Sequence, residues 1–122
     1  MKTVIFSLAC LLAIFTAHVA LAQESDKVVR LAKLVIDSVQ LESYHVLLKE
    51  GIETAVRVEP GVLTLYAVAE KNNPTHITIL EIYASQAAYE AHIKTSHFLK
   101  YKNGTKNMVK SLELVDTNPL IP

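Results

Sequence analysis

The sequence predicts an α+β domain in which an antiparallel sheet carries its helices on one face. Three observations point there. Strand-like and helix-like stretches follow in the order strand, helix, strand, strand, helix, strand, which makes two βαβ-like halves. Turn residues separate them at Glu59-Pro60-Gly61 and at Lys71-Asn72-Asn73-Pro74. One strand, residues 62–70, is largely apolar on both faces, which suits a sheet buried on both sides.

Each element has its own signal. Residues 28–37 open with alternation, Val29 and Leu31 opposite Arg30 and Ala32. Ser38 suits an N-cap, after which Leu41, His45, Leu48, Ile52 and Val56 repeat at helical spacing with Tyr44 and Ala55 beside them. Gly51 interrupts that helix at a cost of roughly 1 kcal/mol against alanine. Pro60 and Gly61 stop it, because proline disfavours helix in the residue before it and glycine takes left-handed turns. In the strand over 62–70, Val62, Thr64, Tyr66 and Val68 share one face, and Leu63, Leu65, Ala67 and Ala69 the other. A turn over 71–75 and a strand over 76–84 complete a hairpin. Ser85 caps a helix running to about residue 96, and a second helical segment over 97–108 carries Phe98, Tyr101, Thr105 and Met108 on one face. Residues 110–116 are the last strand. With helices for one face only, the other is most simply buried by a second copy of the sheet, so a homodimer is expected.

The first residues read as a targeting segment. A short positive start, Met1-Lys2, precedes an apolar run ending in Ala20-Leu21-Ala22, after which the chain turns polar. That is the layout of a secretory signal peptide, so residues 1–22 are set aside and residues 23–122 are expected to form one exported domain, periplasmic or secreted, with no stable membrane anchor after cleavage. Ser7 stands where a lipobox wants leucine, which argues against lipidation at Cys10. Losing Lys2 leaves 11 basic residues against 12 acidic. Such a balance argues against nucleic acid or an anionic membrane surface as the main partner. Cys10, the single cysteine, leaves with the signal, which excludes thiol catalysis and iron–sulfur ligation.

Chemistry-bearing side chains concentrate in residues 81–108. Glu81 and Tyr83, two apart on a strand, point to the same face. His92 shares a helix edge with Ala88 and Thr95, beside the small residues Ala84, Ala87 and Ala91. His97 would lie about 140° round from His92 on an uninterrupted helix, a spacing that does not chelate; a bend near Ser96 could bring the two together, but no further ligand set is evident, so no metal site is expected. Plain alternatives stand beside these: Glu81 in an ion pair with Arg30 or Lys33, His92 as a half-exposed hydrogen-bonded residue, His97 as an anchor of the second helical segment. Tyr44 and Tyr101 are candidates for a pocket or, with satisfied hydroxyls, for the core. Lys94, Lys100, Lys102, Lys106 and Lys110 read as a solvated face.

Three segments carry a resemblance: Glu59-Pro60-Gly61-Val62-Leu63, Leu80-Glu81-Ile82-Tyr83-Ala84, and Ala88-Tyr89-Glu90-Ala91-His92-Ile93-Lys94-Thr95-Ser96-His97-Phe98. Together they resemble the antibiotic biosynthesis monooxygenase superfamily, and within it the small quinol-monooxygenase-like branch. The resemblance implies a ferredoxin-like fold that dimerises through its sheets into an α/β barrel. It also implies oxygen insertion into a small quinol or electron-rich aromatic substrate, using O₂ with no metal, flavin or other cofactor. A substrate that loses a proton becomes an anion able to pass an electron to O₂, so the protein supplies a base, donors for the oxyanion and a dry cavity. His92 is the expected base, with Tyr83, His97 and Glu81 orienting it or holding the anion, and Tyr101, Tyr44 and Thr95 contacting substrate. Many relatives resembling this chain hold tryptophan at the Tyr83 position; its absence here argues against a large flat cofactor such as haem. Two other functions fit the same residues: a non-catalytic small-ligand binder, and an isomerase moving protons within a small sugar-derived substrate.

Overall fold

The computed structural model describes residues 26–121, so the expected signal segment lies outside the described residues. Strand β1 (Val28–Ile36) leads through a short 3₁₀ turn (Ser38–Gln40) into helix α1 (Leu41–Val58). Strands β2 (Val62–Glu70) and β3 (Asn73–Tyr83) form a hairpin; helices α2 (Gln86–His92) and α3 (Ser96–Thr105) then lead to strand β4 (Val109–Thr117). The sheet order is β2-β3-β1-β4 with every pair antiparallel, the ferredoxin-like arrangement. Among the described residues no helix is long and apolar enough to cross a membrane.

The core lies between the sheet and the helices. Ala32, Leu34, Ile36, Ile77 and Ile79 alternate along β1 and β3 and close over Tyr44 of α1. A second cluster joins Ala55, Val62 and Tyr83. Tyr44 and Ala55 lie on one line of α1, so the buried stripe is centred on them, while His45 and Val56, expected on that stripe, are exposed. Ser38 does not cap α1: the Asp37 carboxylate caps the preceding 3₁₀ turn, accepting from the Val39 N–H at 3.2 Å, and α1 starts after Gln40 with no side-chain cap.

Three local features depart from simple alternation, each for a physical reason. Val62 does not share a face with Thr64, Tyr66 and Val68: the β2–β3 register shifts between Val62 and Thr64, turning Val62 toward the helices opposite Tyr83. The hairpin turn shortens to Lys71-Asn72, with Glu70 opposite Asn73, and Pro74 falls beyond the last β1–β3 pair at Val35–His76, where no β1 partner needs its missing N–H. Gly61 has no positive φ. A Cβ there would stand 2.6 Å from the Ala88 Cβ, so glycine is needed for the close approach of α2 to the start of β2. Gly61→Val is therefore expected to lower unfolding stability by about 1–3 kcal/mol in urea melts, as overpacking does.

The helical segment does not run unbroken to residue 96. α2 ends at His92, and Thr95, in extended conformation, restarts the chain as the N-cap of α3. Its hydroxyl donates to the His92 carbonyl at 2.7 Å and accepts from the Phe98 N–H at 3.2 Å. Ser85 caps α2 as expected, accepting from the Ala88 N–H at 3.0 Å.

Among the described residues, the far face of the sheet carries no helix. Tyr66, Leu80, Leu31 and Val115 stand side by side across all four strands in the order β2, β3, β1, β4, and Tyr66 is 66% exposed.

Candidate functional site

A cavity of about 420 Å³ opens between the helix-bearing face of the sheet and the helices. Ala32, Leu34, Leu65 and Ile79 come from the sheet, Leu48 and Ile52 from α1, and Phe98 and Tyr101 from α3. Into this apolar lining project Arg30, Glu81, Tyr83 and His92.

Alternation on β3 aims Glu81 and Tyr83 to the same side, and the Tyr83 hydroxyl donates to Glu81 Oε1 at 2.7 Å. Arg30 stands opposite Glu81 in the β1–β3 register, yet its Nε donates to Asp116 Oδ1 at 3.0 Å and its guanidinium lies 4.4 Å over the Tyr89 ring. Lys33, opposite Thr78, belongs to the helix-free face. Glu81 therefore has a phenol as its direct partner, with Arg30 acting only through its field. Burial pushes the Glu81 carboxyl pKa up, against the pull of Tyr83, Arg30 and His92. The Tyr83 phenol is also raised, first by burial and then by the neighbouring carboxylate.

That shift has a measurable consequence. A carboxyl with a folded pKa above its unfolded value holds its proton more tightly in the fold. Its contribution to stability is present below the unfolded value, about 4.3, and is lost as pH rises through the folded one. Glu81→Gln is accordingly expected to melt above the parent at neutral pH, the difference shrinking toward acid; melting curves across the range check this.

His92 is 6% exposed and sits at the C-terminus of α2. Its Nδ1 lies 2.8 Å from Glu59 Oε2, and His97 Nε2 lies 2.6 Å from the same oxygen. Glu59 is the residue after α1, its N–H donating to the Ala55 carbonyl at 2.9 Å. One carboxylate oxygen is thus shared by two imidazoles from opposite sides of the α2–α3 break. With Nδ1 so engaged, His92 Nε2 has no hydrogen-bond partner among the described residues, and the ring forms part of the cavity wall. Phe98 packs edge-on at 5.1 Å between ring centroids, and the Tyr83 ring stands 5.4 Å away.

The structure thus gathers Glu81, Tyr83, His92 and Tyr101 at the cavity. His97 does not line the cavity; it meets the same Glu59 oxygen as His92, with the two rings 6.2 Å apart between centroids. Tyr44 is fully buried outside the cavity lining and meets the Tyr101 hydroxyl at 2.7 Å; burial raises both phenols. Thr95 does not line the cavity either, because its hydroxyl is occupied in capping α3. Of the lysines read as a solvated face, Lys102, Lys106 and Lys110 stand on the cavity rim, while Lys100 is drawn away to Glu50 at 2.5 Å.

Sequence reasoning missed Glu59. In the sequence it is only the first residue of the helix stop Glu59-Pro60-Gly61. Glu59 also supplies the further donor that a bend between His92 and His97 needs for chelation. With the break at residues 93–95, the donor atoms of Glu59, His92 and His97 lie within 4.8 Å of one another, a set able to close on a divalent ion. The 2.6 and 2.8 Å separations are those of hydrogen bonds; ligands at about 2.1 Å from one tetrahedral ion stand roughly 3.4 Å apart, so a metal would have to spread the cluster.

Comparison with known proteins agrees with this architecture. Residues 28–104 match the antibiotic biosynthesis monooxygenase family. A crystal structure from Bacteroides thetaiotaomicron, named for that family, is 60% identical and superposes with a TM-score of 0.79, covering 80% of this chain and 92% of that one. A protein from Lactobacillus acidophilus, named as a monooxygenase, is 30% identical with a TM-score of 0.72, over 74% of this chain but only 43% of its own. One from Nitrosomonas europaea, at 19% identity and a TM-score of 0.74, shares the fold. No curated protein matches the chain. With the family match spanning more than half of the sequence, the chain belongs to the antibiotic biosynthesis monooxygenase family.

Proposed function

We propose that this protein is an oxygenase of a small quinol or other electron-rich hydroxyaromatic compound, working with O₂ and with neither metal nor flavin. The observation that carries the reading is His92: Nδ1 held by Glu59, Nε2 without a partner, and the ring in the wall of a mostly apolar cavity. A carboxylate that fixes one imidazole nitrogen as donor leaves the other as acceptor, which is how a histidine is readied as a base.

His92 Nε2 takes the hydroxyl proton of the substrate. The resulting anion passes one electron to O₂, and the two radicals combine as a peroxide on a ring carbon that bears hydrogen. Breaking the O–O bond, with loss of that hydrogen and return of a proton, gives a ring carbonyl and water. One oxygen atom enters the product, the other leaves as water, and the substrate supplies all four electrons. Tyr83 and Glu81 hold the substrate oxygen, and the apolar lining keeps water from the peroxide. His97 fixes Glu59 from the other side.

Aerobic incubation with reduced naphthoquinols, following oxygen uptake and product by mass spectrometry, tests the reading. Turnover with ¹⁸O from ¹⁸O₂ in the product supports it. Rearrangement that persists without O₂ would instead favour the isomerase, and binding without turnover a ligand-binding role.

Two further expectations belong to the same reading. The protein is a homodimer through the helix-free face, supported by the apolar row from Tyr66 to Val115. It is exported after removal of residues 1–22, which N-terminal sequencing of the periplasmic or secreted protein would check. Tyr66→Glu, placing a charge in that row, should yield monomers in sedimentation.

A further inference from the structure

The proposed reading leaves the rim of the cavity unexplained. Lys102 and Lys106 lie four residues apart toward the end of α3, Lys110 follows at the start of β4, and all three are exposed residues lining the cavity. None forms an ion pair among the described residues, whereas Lys49 and Lys100 pair with Glu53 and Glu50. Arg30 adds a fourth positive charge; its side chain is only 13% exposed and is held in place by Asp116 and the Tyr89 ring. Glu81 is the one acid in the lining, while Asp37 lies close enough to feel Lys110. The whole chain balances 12 basic residues against 12 acidic and Arg30 is offset by Asp116, so three lysines without an ion pair facing one carboxylate is a local asymmetry.

Cations near a helix C-terminus are favoured by the helix dipole, which would account for Lys102 in the last turn and Lys106 at the C-cap. It does not account for Lys110, which comes from the strand, and the four-residue spacing of Lys102 and Lys106 puts like charges side by side at some cost to the helix. The three meet only at the cavity rim. Unpaired cations around an apolar cleft focus a positive potential into it.

We infer that the ligand of this cavity is an aromatic anion: a flat hydroxyaromatic body that enters the apolar interior and an acidic substituent, carboxylate, sulfonate or phosphate, that stays among Lys102, Lys106, Lys110 and Arg30. This rests on the cavity being the substrate site and adds the class of substrate. Arg30 offers its remaining guanidinium N–H groups, and the lysines supply charge that can follow the ligand in.

Calorimetric titration of the intact mature protein under anaerobic conditions separates binding from turnover. The probes are 1-naphthol, 1-hydroxy-2-naphthoate and 1-naphthol-2-sulfonate. The two anions are expected to bind roughly tenfold more tightly than the neutral compound at low ionic strength, and to lose most of that advantage at about 0.5 M salt, where screening reaches a few ångströms. The variant carrying Lys102→Gln, Lys106→Gln and Lys110→Gln should bring the anions close to the neutral probe. A preference confined to one of the two anions identifies the acid group.

Equal affinities, no binding by any probe, or a preference indifferent to both salt and the triple variant overturns the inference. The salt series on the unaltered protein decides even if the triple variant folds poorly. Oxygenation of neutral quinols with no anion preference would sink this inference and leave the oxygenase standing; anion-selective binding with no oxygen uptake would do the reverse.

Discussion

Under the proposed oxygenase function, replacing His92 by alanine should lower oxygen uptake on a quinol substrate by about 10²–10⁴-fold, the contribution of a positioned general base. The loss should fall on kcat, because the imidazole is one patch of a cavity whose remaining lining still binds the ring. His92 is nearly buried and its Nδ1 is tied to Glu59, so alanine also leaves a void and an underused carboxylate. His92→Gln is the companion variant: its side-chain amide can still donate toward Glu59 but cannot take the substrate proton. If His92→Gln folds as the parent does, by melting temperature and circular dichroism, and still turns over within a few fold of it, His92 is not the base.

The second large effect lies at Glu59. Glu59→Ala removes the acceptor of two short hydrogen bonds at once, leaving two largely buried imidazoles without their partner. Hydrogen bonds to a charged group are worth about 1.5–3 kcal/mol each, and the pair shares one oxygen, so a loss of roughly 3 kcal/mol in urea unfolding is expected. Glu59→Gln keeps a carbonyl oxygen for the same donors and should recover much of that stability. It should not recover the activity, because a neutral amide holds the imidazole tautomer and stabilises its protonated form less well. A kcat reduced by about 10–100-fold in a variant that folds normally, with KM little changed, is the signature of positioning. Equal loss of stability in both variants would mean that charge, rather than the shared oxygen, holds the cluster.

The elements themselves were legible because their signals are local. Period-two alternation marked the start of β1, an apolar run marked β2, the Glu59-Pro60-Gly61 stop marked the end of α1, and Ser85 marked the start of α2. The misplacements share one origin, in contacts that come from far along the chain. The stripe of α1 turns to Tyr44 because Tyr101 supplies a hydroxyl to it, and Gly61 is set by Ala88 rather than by its own dihedral angles. The break before α3 depends on how the Thr95 side chain is used, which spacing alone does not reveal. Within the candidate site, His92, Tyr83, Glu81 and Tyr101 carried signals of residue type and face. Glu59 carried none, because its role exists only once a loop of more than thirty residues has closed.

That closure does more than aim an imidazole. The cluster joins residue 59 to residues 92 and 97, tying the exit of α1 to the junction of α2 and α3 across separations of 33 and 38 residues. The only cysteine of the chain is Cys10, so no disulfide can form between residues within 23–122. The shared carboxylate therefore takes the place a covalent crosslink would occupy in a disulfide-stapled domain, a brace that opens and re-forms with the fold. Under the proposed function, reactivity and cohesion reside in the same three side chains, so a drift in sequence that loosens one must be met by a change in the other.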